Sequence, residues 1–390
     1  MENIKKIADD ELFKWMVDIR HEIHQWPEKA FEERRTSELI SKRLKEIGIE
    51  YRTGVAKTGV LGKLITDKNA PTVALRADMD ALLVHEDTGL PFASKVPGLM
   101  HACGHDGHVA ILLGAARLLK ANPPKGNVVF IFQPAEEAVG GAKPMIEEGA
   151  LEGVDVIFGG HIETHYRVGE IGIKEGVHTA YTDSIDIEIT GRGGHAARPH
   201  EAVDSVVISA QLIMHLQTIV SREVDPLSPS VITIGYMRAG TVSNAIAEKA
   251  ILQGTIRTIE TATRDEIVDK IRRTASSLSA LHSARIDVKI TPGYPPIINS
   301  GRECGLAWET AERLLGKGSV ISIPHPSLGG EDFAYFTQKI PGCFVRFGAA
   351  KDGSEDKASH SSQFDFDEEA LRVGAVYLSE LVRDAEEKLK

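Results

Sequence analysis

The stretch MHACGHDGH, residues 100–108, gathers three histidines, a cysteine and an aspartate. Cys103 and His105, two residues apart, can face one point from an extended loop, and a thiolate beside an imidazole suits zinc-like divalent ions. Two other readings compete: a thiol nucleophile, which needs a separate base and oxyanion donors, and a polar turn entering a helix. Acids elsewhere in the chain favour the metal. In QPAEE, Glu136 and Glu137 directly follow an apolar run, and adjacent carboxylates can divide the work, one holding an ion and the other moving a proton. In GGHIETH, His161 follows two glycines, while His165 reads as a surface or supporting residue. In RADMDAL, Asp78 and Asp80 share one side of an extended segment and can orient a ligand histidine; for Asp78, a structural pairing with Arg76 is an equal alternative. His360 in HSSQF, a lone histidine in a loop, carries no signal by itself.

These motifs need elements to position them. Residues 11–47 read as helical with a break near Trp26–Glu28. Apolar runs follow at GVLGKLI (59–65), TVAL (72–75), NVVFIF (127–132) and VDVIF (154–158), and later at CFVRFG (343–348). Between the second and third, Val109, Leu112, Leu113, Ala116 and Leu119 recur at helical spacing. Uniformly apolar strands separated by helices predict a mostly parallel sheet covered by helices on both faces. The chemical motifs follow four of these runs, where ligand sites form in parallel sheets. From SIDIEIT (184–190) the pattern alternates with period two, and the order becomes β-α-β-β-α-β, a ferredoxin-like α+β unit. The expected division is a catalytic metal-binding domain of residues 1–180 and 294–390, interrupted by a lid and dimerisation domain of residues 181–293. In that insertion His195 follows a glycine-rich turn in GGHAARPH and Arg257 ends GTIRT, the pattern of a lid that completes a site.

Composition narrows the classes. A net charge of -11 across 390 residues excludes the broad basic face that nucleic acid or anionic membranes require. No apolar run approaches the ~18 residues of a membrane span, and MENIKKIADDELFKWM carries acids where a secretory leader has its apolar centre. Three cysteines are too few and too scattered for a disulfide framework. The expectation is a cytoplasmic protein.

The order RADMDAL, MHACGHDGH, FQPAEE, GGH, GGHAARPH, GTIRT, GGEDF and HS-x-x-F resembles the hippurate hydrolase and auxin-conjugate hydrolase branch of the dinuclear metallo-aminoacylase and carboxypeptidase family. The likeness spans about residues 15–375. It implies two divalent ions held by Cys103, His105, Glu137, His161 and His360, with manganese or zinc, cobalt or nickel all compatible with that ligand set. It also implies Glu136 as catalytic base, His195 reaching the reacting carbonyl, in relatives often across a dimer, and Asn244 and Arg257 holding a substrate carboxylate. With Asp80 as a further catalytic-site residue, the expected activity is hydrolysis of N-acyl amino acids by a homodimer joined through the lid. Two loops depart from the family pattern: Ile162–His165 replaces an aromatic and a proline, and SNAIA replaces an NVIPD-like stretch. The alternatives are a metallo-dipeptidase or aminopeptidase of the same fold, a cysteine-nucleophile hydrolase using Cys103, and a non-catalytic binder that uses the metal.

Overall fold

The computed structural model describes residues 1–138, 140–351 and 357–389. The chain divides into two compact units: Met1–His178 with Ile297–His325 and Asp332–Lys390, and Thr179–Pro296 with Pro326–Glu331.

The first unit is built on an eight-stranded sheet. Its order is Glu50–Val55, Gly59–Leu64, Asn127–Gln133, Thr72–Asp78, Val156–Arg167, Gly342–Ala350, Ile171–Ile173 and Val320–Ser322. Four of the apolar runs marked in the sequence form its contiguous parallel centre. The fifth, GVLGKLI, is antiparallel to both neighbours. The cause is local: left-handed Ala56 and Lys57 turn the chain straight back on the preceding strand, leaving no crossover helix to make it parallel.

Helices cover both faces. On one, Met16, Ile19 and Ile23 of Asp10–Gln25, Leu39 and Leu44 of Arg34–Ile47, Leu112 and Ala116 of His105–Ala121, and Leu371 and Leu378 of Glu369–Leu389 share a core with Val73, Phe130 and Phe158. On the other, Met145, Phe333 and Phe336 pack over Ala74, Ile131 and Phe344. Asp9 caps the helix Asp10–Gln25 by accepting the Leu12 N–H at 2.9 Å. Trp26 ends that helix directly before Pro27, as a residue preceding proline favours extended backbone.

The second unit carries a four-stranded antiparallel sheet ordered Ser230–Ala239, Lys249–Thr258, Tyr181–Thr190, Arg285–Thr291. With helices Ser205–Thr218 and Thr261–His282 between strands, this is the ferredoxin-like arrangement. Ile185, Ile187 and Ile189 turn one face of the sheet onto Ile208, Leu212, Ile267 and Ile271 of the two helices.

The helix His105–Ala121 sets the position of the chemical groups, and it is seated without slack. A Cβ on Gly114 would lie 2.2 Å from Met16 Sδ and 2.9 Å from Ala375 Cβ. Alanine gains about 1 kcal/mol of helix propensity over glycine, but overpacking a full core costs about 1–3 kcal/mol. Gly114→Ala is therefore expected to lower the urea midpoint despite the better helix former. A raised midpoint would show that the Met16 and Ala375 helices give way freely.

Candidate metal centre

The site grows from the end of the Thr72–Asp78 strand. Asp80 is 1% exposed, and its two carboxylate oxygens accept the backbone N–H groups of Glu136 and Glu137, each at 3.0 Å. One short acid thus fixes the turn that presents both glutamates. The Asp80 carbonyl accepts Nδ1–H of His105 at 2.9 Å. That bond commits one ring nitrogen and leaves the Nε2 lone pair facing inward, the orientation a ligand histidine requires. Expected among the catalytic residues, Asp80 has both oxygens committed to backbone, so it positions other groups.

Gly104, at φ 86°, turns the chain into the helix that starts at His105. The expected extended loop is thus a left-handed turn, and its three histidines separate. His101 is buried with neither ring nitrogen bonded, and burial pushes it down to about 3. His105 faces the glutamates. His108 donates from Nδ1 to Asp78 Oδ1 at 2.6 Å and accepts the Ile162 N–H on Nε2 at 2.8 Å. With both nitrogens committed, His108 has no lone pair for an ion. Asp78 also accepts from Arg76 at 2.6 Å, so both sequence readings of Asp78 hold, except that the histidine it holds is His108.

His161 lies within the strand Val156–Arg167, which runs on through the segment expected to be a loop. Its Nδ1–H donates to the Ile162 carbonyl at 2.6 Å, turning Nε2 to within 3.2 Å of Cys103 Sγ. His360, left-handed at φ 70°, donates its backbone N–H to the Ala102 carbonyl at 2.7 Å, and its Nε2 lies 3.3 Å from Glu137 Oε1. Ligand atoms of Cys103, His105 and His161 lie within 4.8 Å of one another, as do those of Cys103, Glu137 and His360, and those of His105, Glu136 and Glu137. His165 is exposed and hydrogen-bonds Glu163.

This donor set fits divalent ions. His105 Nε2 and Glu137 Oε1 are buried without a hydrogen-bond partner and lie 3.8 Å apart. An unsatisfied buried polar atom costs about 1–3 kcal/mol, and a cation between these two would relieve both. Burial, reinforced by the Glu137 carboxylate, pushes the Cys103 thiol up to about 12. A nucleophilic cysteine needs the opposite shift. Without an adjacent cation Cys103 stays a thiol, which disfavours the cysteine-nucleophile reading.

Supporting groups that the sequence reading missed lie beneath. Arg76 donates to Gln133 Oε1 at 2.9 Å and Asp332 Oδ1 at 2.8 Å, and Asp332 accepts the Ala142 N–H at 2.9 Å. Glu33, fully buried, accepts the Ala135 N–H at 2.9 Å and the Thr58 hydroxyl at 2.6 Å. Ala135 is left-handed at φ 59°, so Glu33 holds the strained residue that precedes Glu136. Asp332 had a signal, since it is the aspartate of GGEDF. Glu33 had none, because EERR reads as a solvated charge run.

In the second unit His195 and Asn244 come together: Ala245 pairs with His195, and the Ala196 N–H donates to the Asn244 carbonyl at 3.2 Å. Both are exposed. Arg257, which the resemblance pairs with Asn244 on one substrate carboxylate, lies by register at the opposite end of the sheet. Asn244 precedes Lys249, whereas Arg257 is next to last in Lys249–Thr258, roughly 25 Å away at ~3.3 Å per residue. Arg257 is half-buried and makes no hydrogen bond or ion pair among the described residues; the nearby acid Asp183 is taken by Arg264 at 2.5 Å.

Residues 74–384 match the model of peptidase family M20/M25/M40. The chain is 43% identical over 371 residues to an N-acetyl-L-cysteine deacetylase of Bacillus subtilis, covering 95% of this chain and 88% of the relative. It is 40% identical over 385 residues to the IAA-amino acid hydrolase ILR1-like 2 of Arabidopsis thaliana, covering 97% and 87%. Among solved structures, a Bacillus subtilis protein described as a dinuclear metal binding peptidase of the M20 family superposes with a TM-score of 0.85 at 37% identity, covering 97% of this chain and 99% of that one. The chain belongs to the M20/M25/M40 peptidase family and is a metal-dependent hydrolase of amide bonds.

One pH effect follows from Glu33. Burial raises its carboxyl from 4.5 to about 7, so the folded state holds this proton more tightly than the unfolded chain. The stability it contributes is complete below about pH 4.5 and lost as pH rises through about 7. Urea midpoints at pH 5 and pH 8 are expected to differ less in Glu33→Gln than in wild type. An unchanged difference would place the proton elsewhere.

Proposed function

We propose that the protein hydrolyses N-acyl amino acids to a carboxylic acid and a free amino acid, with two divalent ions held by Cys103, His105, Glu137, His161 and His360. The observation that carries this reading is the pair of buried, unbonded acceptors on His105 and Glu137, converging with Cys103. Cys103 belongs to two trios, one with His105 and His161 and one with Glu137 and His360. The thiolate leans toward zinc, cobalt or nickel, whereas the carboxylate also admits manganese. Bound there, such ions supply Lewis acidity to a carbonyl and lower the pKa of a water.

The remaining work falls to side chains. Glu136, presented beside Glu137 by Asp80, takes a proton from the attacking water and returns it to the departing amine. His195 donates an N–H to the oxyanion, a contact whose loss typically costs about 3 kcal/mol in the barrier. Arg257 grips the α-carboxylate through its guanidinium fork, with Asn244 as a second donor. The lack of a carboxylate partner on Arg257 among the described residues favours this role over a structural ion pair, and favours a substrate acid over the substrate amine of an aminopeptidase.

The separation of Asn244 and His195 from Arg257 within one unit has a consequence. One amino acid cannot touch both ends of the same sheet, so a single substrate is served by Arg257 of one subunit and by His195 and Asn244 of another. The assembly is accordingly a homodimer joined through the second unit.

Two experiments test the reading. N-acetyl and N-benzoyl amino acids are expected to be cleaved at least ~100-fold better than their carboxyl amides, and Arg257→Ala should erase most of that preference. Equal hydrolysis of carboxyl-blocked substrates by wild type would remove Arg257 from the site. Mixing inactive Glu136→Gln with inactive His195→Ala under subunit exchange should regain activity, because a mixed dimer holds one intact site. Demonstrated exchange without recovery would show that each histidine serves its own subunit.

A further inference from the structure

Against the sheet face that carries His161 lie two further polar side chains without a hydrogen-bond partner among the described residues. Arg346, on the neighbouring strand Gly342–Ala350, is the register partner of His161, so both side chains leave the same face about 5 Å apart. Two residues earlier on that face Phe344 lies over Gly159, where a Cβ would meet its ring at 3.1 Å. The Arg346 guanidinium carbon sits 5.7 Å from the Phe344 ring centre, and His178 meets the same ring edge-on at 6.1 Å. Arg346 makes no hydrogen bond or ion pair among the described residues. His178 is 2% exposed, and neither ring nitrogen has a hydrogen-bond partner.

A buried imidazole always carries at least one N–H, and leaving it unsatisfied costs about 1–3 kcal/mol. Burial, then the charges of Arg346 and Lys174, hold His178 well below its ordinary value, so the ring is neutral and offers one donor and one acceptor. A half-buried guanidinium and a buried N–H beside one aromatic ring, one strand from a proposed metal ligand, form a site for an anion that no described residue supplies.

We propose that Arg346 and His178 bind a second carboxylate of the substrate, distinct from the α-carboxylate assigned to Arg257 and Asn244. This rests on the reaction proposed above and narrows its substrates to dicarboxylic N-acyl amino acids. The guanidinium fork donates two N–H groups to the carboxylate, and His178 donates a third. The group belongs either to the amino-acid side chain or to the far end of the acyl chain; both present the same chemistry.

The test is calorimetric binding to metal-loaded Glu136→Gln protein, which holds substrate without turning it over. One arm compares N-acetylglutamate with N-acetylglutamine, the other N-succinylalanine with its succinyl monoamide. The diacid is expected to bind at least ~10-fold tighter in one arm, and that arm names the source of the carboxylate. Adding Arg346→Met should reduce the preference below about twofold, and Arg346→Lys should restore it only in part, since lysine keeps the charge without the fork. His178→Leu should reduce it about threefold, by removing one hydrogen bond. No preference in either arm, or a preference that survives Arg346→Met, overturns the subsite. Should no N-acyl amino acid bind in any arm, the proposed reaction falls, and the subsite is read alone from thermal midpoints with glutarate and glutaramide. Stabilisation by glutarate that Arg346→Met abolishes supports the subsite; equal midpoints with both compounds overturn it.

Discussion

The Asp80 carboxylate is the interaction on which the rest of the site depends. Two backbone N–H groups bind its oxygens, and its own carbonyl fixes the His105 ring. Three segments distant in sequence therefore meet at one buried residue: the strand end at Asp78, the turn at Glu136 and Glu137, and the start of the helix at His105. Charged hydrogen bonds of this kind are roughly twice as strong as neutral ones. They operate here where water does not compete.

Beneath this contact lies a second layer that keeps charge paired. Arg76 is shared between Asp78 and Asp332, and Asp78 passes the constraint to His108, whose other nitrogen receives the Ile162 N–H. An isolated buried ion costs several kcal/mol, and the network avoids that cost by saturating each group. The saturation is selective. His108 is filled on both nitrogens, whereas His105 Nε2 and Glu137 Oε1 are left open. Two histidines on one helix turn thus differ: His108 is tied into the scaffold on both nitrogens, and His105 keeps Nε2 unbonded.

Much of this was legible in the sequence because its signals are local. The parallel strands announced themselves as apolar runs of β-branched and aromatic residues, and each ended in a polar motif. The inserted unit declared itself by the change to period-two alternation at SIDIEIT. What was not legible depends on pairing across the chain. The antiparallel edge at Gly59–Leu64 follows from a two-residue left-handed turn, and the continuation of the Val156 strand past His161 follows from its partner Gly342–Ala350. The division of labour between His105 and His108 rests on an amide at Ile162 that no spacing rule reveals. Glu33 looks like any surface acid until the fold buries it against Ala135. Asn244 and Arg257, assigned by the resemblance to one carboxylate, are close in sequence, yet the first eight residues of the strand Lys249–Thr258 lie between them.

We propose that Cys103, His105, Glu137, His161 and His360 would together hold two divalent ions, with His105 Nε2 and Glu137 Oε1 left unbonded for them. Anomalous diffraction from crystals soaked in zinc or manganese is the most direct test. Two peaks per chain are expected, one among Cys103, His105 and His161 and the other among Cys103, Glu137 and His360. A single peak, or a peak ligated by Asp78 and His108, would overturn the assignment.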